Sequence, residues 1–149
     1  MSGTPRVVLY VSSSAPDTDF TAKLIDEYPP NSSYPQGFAM NISHGIIRCR
    51  YRYSREKQVL MTPNHVYKVE IEMYPTSNLF AMGHRIRIDI SSSNYPHFDL
   101  NLNNGGDYFN TKIVKADNTI YHTKEVYISL PVHTMNIIRS AAPSPSVIL

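Results

Sequence analysis

The chain has 149 residues, 42% of them hydrophobic, and a formal charge of +2. That is enough for one domain with one core, burying roughly 70% of the surface its unfolded form exposes, and too weakly basic to attract nucleic acid or anionic lipid by net charge alone. Cys49 is the single cysteine, which excludes an internal disulfide and a thiolate zinc site, and no stretch approaches the ~20 apolar residues of a membrane span or the core of a signal peptide. A soluble, cytoplasmic protein with no membrane partner is the expectation.

Apolar residues recur at every second position, which predicts strands buried on one face. In chain order they fall at residues 6–12, 20–28, 38–42, 47–53, 66–74, 85–90, 119–122 and 126–132. In the fourth, Ile47, Cys49, Tyr51 and Tyr53 alternate with Arg48, Arg50 and Arg52. The fifth sets Tyr67, Val69, Ile71 and Met73 against Lys68, Glu70 and Glu72. The sixth, with Ile86, Ile88 and Ile90 opposite Arg85, Arg87 and Asp89, is the clearest, because a one-residue slip would bury three charges. Turn clusters separate the strands at residues 14–17, 28–31, 62–64 and 103–106. Eight short strands with such breaks predict an all-β, two-sheet sandwich spanning residues 1–139. Residues 140–149, rich in Ala, Pro and Ser, read as a flexible tail.

Four groups of residues invite a chemical reading. Ser93, His97 and Asp99 sit close together in the stretch ISSSNYPHFD, but proximity in sequence supplies neither a base within reach of a nucleophile nor an oxyanion hole, and no Gly-x-Ser-x-Gly elbow is present. No catalytic residue is therefore assigned, and Ser and Asn here are expected to bond to backbone in a loop filled by Tyr95, Pro96 and Phe98. Asp17-Thr18-Asp19 has the alternating carboxylates of a calcium loop without the further oxygens calcium needs, so a turn and strand-start cap is expected. The six histidines form no ligand pair; no metal and no cofactor is assigned. Arg48, Arg50 and Arg52 lie beside Tyr51 and Tyr53. A period of two puts arginines and tyrosines on opposite faces, unlike a single-strand reader, so no nucleic acid is expected and the arginines are read as meeting solvent or the carboxylates of an adjoining domain.

The run Gly83-His84-Arg85-Ile86-Arg87-Ile88-Asp89-Ile90-Ser91-Ser92-Ser93-Asn94-Tyr95-Pro96-His97-Phe98-Asp99 closely resembles a signature of the C-terminal domain of the X-Pro dipeptidyl-peptidase family, shared with cocaine-esterase-like and α-amino-acid-ester hydrolases. Three further segments, residues 11–24, 41–52 and 74–78, agree with it in order. They run from Val11 to Leu24, from Asn41 to Arg52, and through Tyr74-Pro75-Thr76-Ser77-Asn78. The resemblance covers roughly residues 3–132 and departs from the family at His97, Leu100 and Leu102. It implies a jelly roll, galactose-binding-like, that stands downstream of an α/β-hydrolase domain holding the catalytic triad. The partner it implies is that hydrolase domain, met through Asp17, Asp19, Phe20, Asn78, Tyr95, Pro96, His97, Phe98 and Asp99. The alternative is a free-standing carbohydrate-binding or interaction module, disfavoured by the absence of tryptophan as a stacking platform. A docking face left bare would also favour a homo-oligomer.

Overall fold

The computed structural model describes residues 1–106, 109–122 and 125–132. Among these residues nine strands run in the order β1 (Ser2–Gly3), β2 (Arg6–Ser13), β3 (Asp19–Tyr28), β4 (Phe38–Arg48), β5 (Tyr67–Glu72), β6 (Thr76–Ser77), β7 (Arg85–Ser91), β8 (Asn118–Tyr121) and β9 (Tyr127–Ser129). One sheet has the order β5-β2-β8, with β9 pairing the first residues of β2 on the same side as β8. A second has the order β4-β3-β7, and β1 and β6 form a small separate ribbon. All pairings are antiparallel.

The expected all-β sandwich is what forms, and the alternation explains its core. Val7, Leu9 and Val11 of β2 and Val69 and Ile71 of β5 face Phe20, Ala22 and Leu24 of β3, with Cys49, Met61 and Met73 completing a continuous apolar cluster. Each such side chain removed from water contributes roughly 1.5–3 kcal/mol. Buried among them, Cys49 is fully inaccessible, and burial foremost pushes its thiol pKa up to about 12.

Three expectations about the elements need correction. β4 runs without a break from Phe38 to Arg48, past residue 42, because a register shift opposite Leu24 and Ile25 lets it bend and continue pairing. The strand predicted at 47–53 is not formed. β4 ends at Arg48 and the chain turns through a single 3-10 turn, Cys49–Tyr51. The third concerns the β7 isoleucines: Ile88 and Ile90 pack against the core, but Ile86 does not join it and is 52% exposed. The tail at 140–149 and the domain limit at 139 lie outside the described residues.

Candidate docking site

The ends of β3 and β4 build the most polar part of the interior. Asp17 and Asp19 are two residues apart, and so are Arg48 and Arg50. The hairpin register pairs Asp19 with Arg48, so the two carboxylates meet the two guanidinium groups. Arg48 donates from Nε and Nη2 to the two oxygens of Asp19, at 3.0 and 3.1 Å. Arg50 donates from its backbone N–H and from Nε to Asp17, at 2.8 and 2.7 Å. Asn101 joins both carboxylates, its amide nitrogen lying 2.8 Å from Asp17 and 2.7 Å from Asp19. Burial raises the pKa of Asp19, while the hydrogen bonds of Arg48 and Asn101 and the Arg48 charge pull it back. The bond to Asp19 in turn raises the pKa of Arg48. Such bonds are roughly twice as strong as neutral ones.

This cluster holds a loop. Arg48 Nη2 also donates to the backbone carbonyl of Asp99, and Asn101 ties the loop's far end to the carboxylates. The loop's other anchor is His44, which by the same register alternation shares the outer face of β4 with Arg48. The His44 ring meets His97 edge-on at 4.5 Å, Phe98 at 5.8 Å and Tyr74 at 5.2 Å between centroids. Burial foremost, then the neighbouring charges of His97 and Lys23, lowers the pKa of His44. Its Nε2 is buried with no hydrogen-bond partner among the described residues. Above these anchors Tyr95 is 68% exposed, Pro96, His97 and Asp99 are exposed, and Phe98 is half-buried. The Tyr95–Pro96 peptide is cis.

The residues read from the sequence as docking therefore fall into three groups. Tyr95, Pro96, His97, Phe98 and Asp99 stand together at the surface, with Tyr74 beside them through His44. Asp17, Asp19 and Phe20 are 0%, 2% and 2% exposed, and their side chains contact this domain's own residues. Asn78 lies elsewhere, donating to the buried carboxylate of Asp26, which His84 also contacts at 2.8 Å. The arginine row is corrected as well. Arg50 is buried, Arg48 is bound to Asp19, and Arg52 bonds to the carbonyls of Cys49, Val59 and Leu60 between the rings of Tyr53 and Tyr67. Asp17 and Asp19 likewise make no local strand-start cap; their side chains bond to Arg50 and Arg48 across the hairpin and to Asn101 in the loop after β7. The alternation that set arginines opposite tyrosines does not exist once the strand stops at Arg48.

Sequence reasoning missed Arg48, Arg50, Asn101 and His44 as the supports. The shared two-residue spacing of the carboxylates and the guanidinium groups was the available signal; His44 lies within the family-like segment 41–52 but nothing there marks it as a support, and Asn101 had no signal.

No hydrogen bond joins Ser93, His97 and Asp99. Ser93 accepts from the N–H of Tyr95 at 3.3 Å, and the N–H of His97 donates to the carbonyl of Asn94. Among the described residues no three His, Cys, Asp or Glu side chains are grouped to hold a metal ion, and no helix is long and apolar enough to cross a membrane.

Comparison with known proteins gives this arrangement a context. Residues 1–130 match the family described as the X-Pro dipeptidyl-peptidase C-terminal non-catalytic domain. The chain is 46% identical over 106 residues to a cocaine esterase of Rhodococcus sp. (strain MB1 Bresler), a match covering 71% of the chain and 17% of the esterase. Its fold is similar to that of an α-amino acid ester hydrolase (TM-score 0.77, 32% identity, 89% of this chain and 24% of that one). It is also similar to an aminopeptidase from the marine sediment archaeon Thaumarchaeota archaeon (TM-score 0.72, 27% identity, 87% of this chain and 23% of that one). The chain thus spans a quarter or less of the length of each of these relatives. It belongs to the family of X-Pro dipeptidyl-peptidase C-terminal non-catalytic domains.

Proposed function

We propose that this domain is the accessory cover of an α/β-hydrolase part that hydrolyses X-Pro peptides or esters, packing on that part, forming a section of its pocket rim and aiding its assembly. The observation that carries the reading is the cluster of Tyr95, Pro96, His97 and Phe98 held at the surface over His44. Two aromatic side chains and a proline stand on a loop whose far end is fixed by charge-assisted bonds, so little conformational entropy is lost when a partner covers them. Large rings on a pre-ordered support are typical anchors of binding energy. Asp17, Asp19 and Phe20 then act from behind, by holding the support. The catalytic serine, aspartate and histidine belong to the partner.

The test is a chimera in which this chain replaces the matched C-terminal region of the Rhodococcus cocaine esterase. A soluble chimera with esterase turnover is expected. Tyr95→Asp in the chimera should cut turnover or lower its melting temperature while leaving the melting temperature of the isolated 149-residue chain unchanged. A chimera that does not assemble although the isolated chain folds, or a Tyr95→Asp chimera indistinguishable from its parent, contradicts the proposal.

A further inference from the structure

The two sheets meet along one side of the sandwich at β4 and β5, both edge strands. At one end they touch: the N–H of Tyr74 donates to the carbonyl of His44, and a Cβ added at Gly45 would run into the carbonyl oxygen of Glu72. Toward Arg48 and Glu70 they diverge, leaving an open cleft of about 560 Å3 lined by Ile46, Ile47, Arg48, Tyr51 to Arg55, Glu70 and Glu72. That volume lies within the roughly 300–1,000 Å3 of ligand clefts.

Hydrogen-bond alternation decides what the cleft walls offer. Cys49 N–H bonds to the carbonyl of Thr18, so in the antiparallel ladder Cys49, Ile47 and Gly45 turn their backbone groups toward β3. Ile46 and Arg48 turn theirs outward, as His44 does toward Tyr74. On β5, Met73 N–H bonds to the carbonyl of Pro5, so Ile71 and Val69 face β2 while Glu70 faces away. No β4–β5 ladder forms, and among the described residues the outward N–H groups of Ile46, Arg48 and Glu70 and the carbonyls of Ile46 and Glu70 have no backbone partner, while the carbonyl of Arg48 accepts the first bond of the Cys49–Tyr51 turn. The outward groups of Ile46 and Arg48, with Glu70 across the cleft, form a template for one more strand.

Charge gives the occupant its chemistry. Arg48 is matched by Asp19, but Arg52 bonds only to carbonyls and Arg55 has no ion-pair partner among the described residues. On the other wall Glu70 and Glu72 share Arg6. The end of the cleft at Arg52 and Arg55 is therefore short of a carboxylate. A cleft walled on both sides admits one extended segment more readily than the edge of a second copy, which would bring its neighbouring strands with it.

We propose that this cleft takes an extended, carboxylate-bearing peptide segment, added as a strand beside β4 and supplied by the hydrolase polypeptide outside this domain. This rests on the accessory-cover reading above. Relatives carry three quarters or more of their length outside the region matched here. A segment tethered in the same polypeptide has an effective concentration of about millimolar, so a short strand suffices where a free peptide of that size would not.

Hydrogen exchange at single-residue resolution tests it, on the isolated chain and on the esterase chimera. The amides of Ile46, Arg48 and Glu70 should exchange freely in the chain alone and roughly 10-fold or more slowly in the chimera, as for amides that enter a ladder. Arg55→Glu in the chimera should restore much of the fast exchange there while the core amides of β2 and β3 stay protected. An active chimera whose cleft amides exchange as in the isolated chain overturns the strand-addition site and leaves the cover reading standing. Protection already present in the isolated chain and growing with its concentration also overturns it, naming a second copy as the occupant. A chimera that fails to assemble removes both.

Discussion

Arg48→Ala should destabilise the isolated domain by about 2–3 kcal/mol at neutral pH. The substitution removes two hydrogen bonds to Asp19, whose side chain is 2% exposed, and one to the carbonyl of Asp99. Leaving a fully buried charge without its partner costs roughly 3–5 kcal/mol. The Arg48 side chain is 35% exposed, so the pair is partly solvated and water can replace some of what is lost, which reduces the figure. Asn101 still donates to Asp19, which reduces it further. For a domain of this size 2–3 kcal/mol lowers the melting temperature by about 5–10 °C. The pH dependence fixes the mechanism. Asp19 has its folded-state pKa raised from 3.8, so its ionised form is disfavoured by folding and stability falls as pH rises from that value through the folded pKa. Arg48 supplies two of the three causes that oppose the rise, the third being the Asn101 hydrogen bond, so removing it raises the pKa further. The penalty of Arg48→Ala is then largest at neutral pH and shrinks as the pH is taken down toward 4. Asp19→Asn in the same chain should recover most of the loss at neutral pH, because an amide needs no counter-charge. Urea unfolding of wild type, both single variants and the double variant, at pH 7 and pH 4.5, gives the full cycle. A penalty below about 0.5 kcal/mol, a penalty independent of pH, or no coupling between the two positions would refute the reasoning.

Other consequences are simpler to read out. His44 has a folded-state pKa lowered from 6.5, so stability is complete above that value and is lost as the pH falls through the folded pKa; His44→Phe should flatten the fall between pH 7.5 and 5 in a thermal melt series. Cys49 should not react with a water-soluble disulfide reagent in the native chain and should react fully in denaturant, since the thiolate is disfavoured and buried; rapid native labelling would mean that the Cys49–Tyr51 turn opens. Gly45→Ala should destabilise by about 1–3 kcal/mol, because the new methyl meets backbone of β5 and not a side chain that can rotate away; chemical denaturation measures it.

Much of the fold was written in the period of two. β5 and the core end of β7 were legible because one of their faces is apolar and the other meets solvent, so that each side chain reports its own direction. The same pattern at residues 47–53 misled for a physical reason. Its arginines alternate because Arg48 and Arg50 answer Asp19 and Asp17 across the hairpin, and the chain leaves the sheet at Cys49 to let Arg50 reach a buried partner. A charge that is buried and paired looks, in sequence, like a charge in water. The loop of Tyr95 to Asp99 was found through its family resemblance and not its period. Its supports were invisible because Asn101 and His44 act through contacts with residues distant in the chain, which no local pattern encodes. Asp17 and Asp19, counted among the docking residues, sit beneath the exposed loop.

A side-by-side assay of esterase turnover and labelling by a serine-reactive fluorophosphonate, on the 149-residue chain alone and on the chimera in which it replaces the C-terminal region of the Rhodococcus esterase, tests the cover role most directly. A non-catalytic cover predicts neither turnover nor labelling for the chain alone and both for the chimera, with the label on the esterase portion. Labelling of the chain alone, at Ser93 or any other serine, would contradict it.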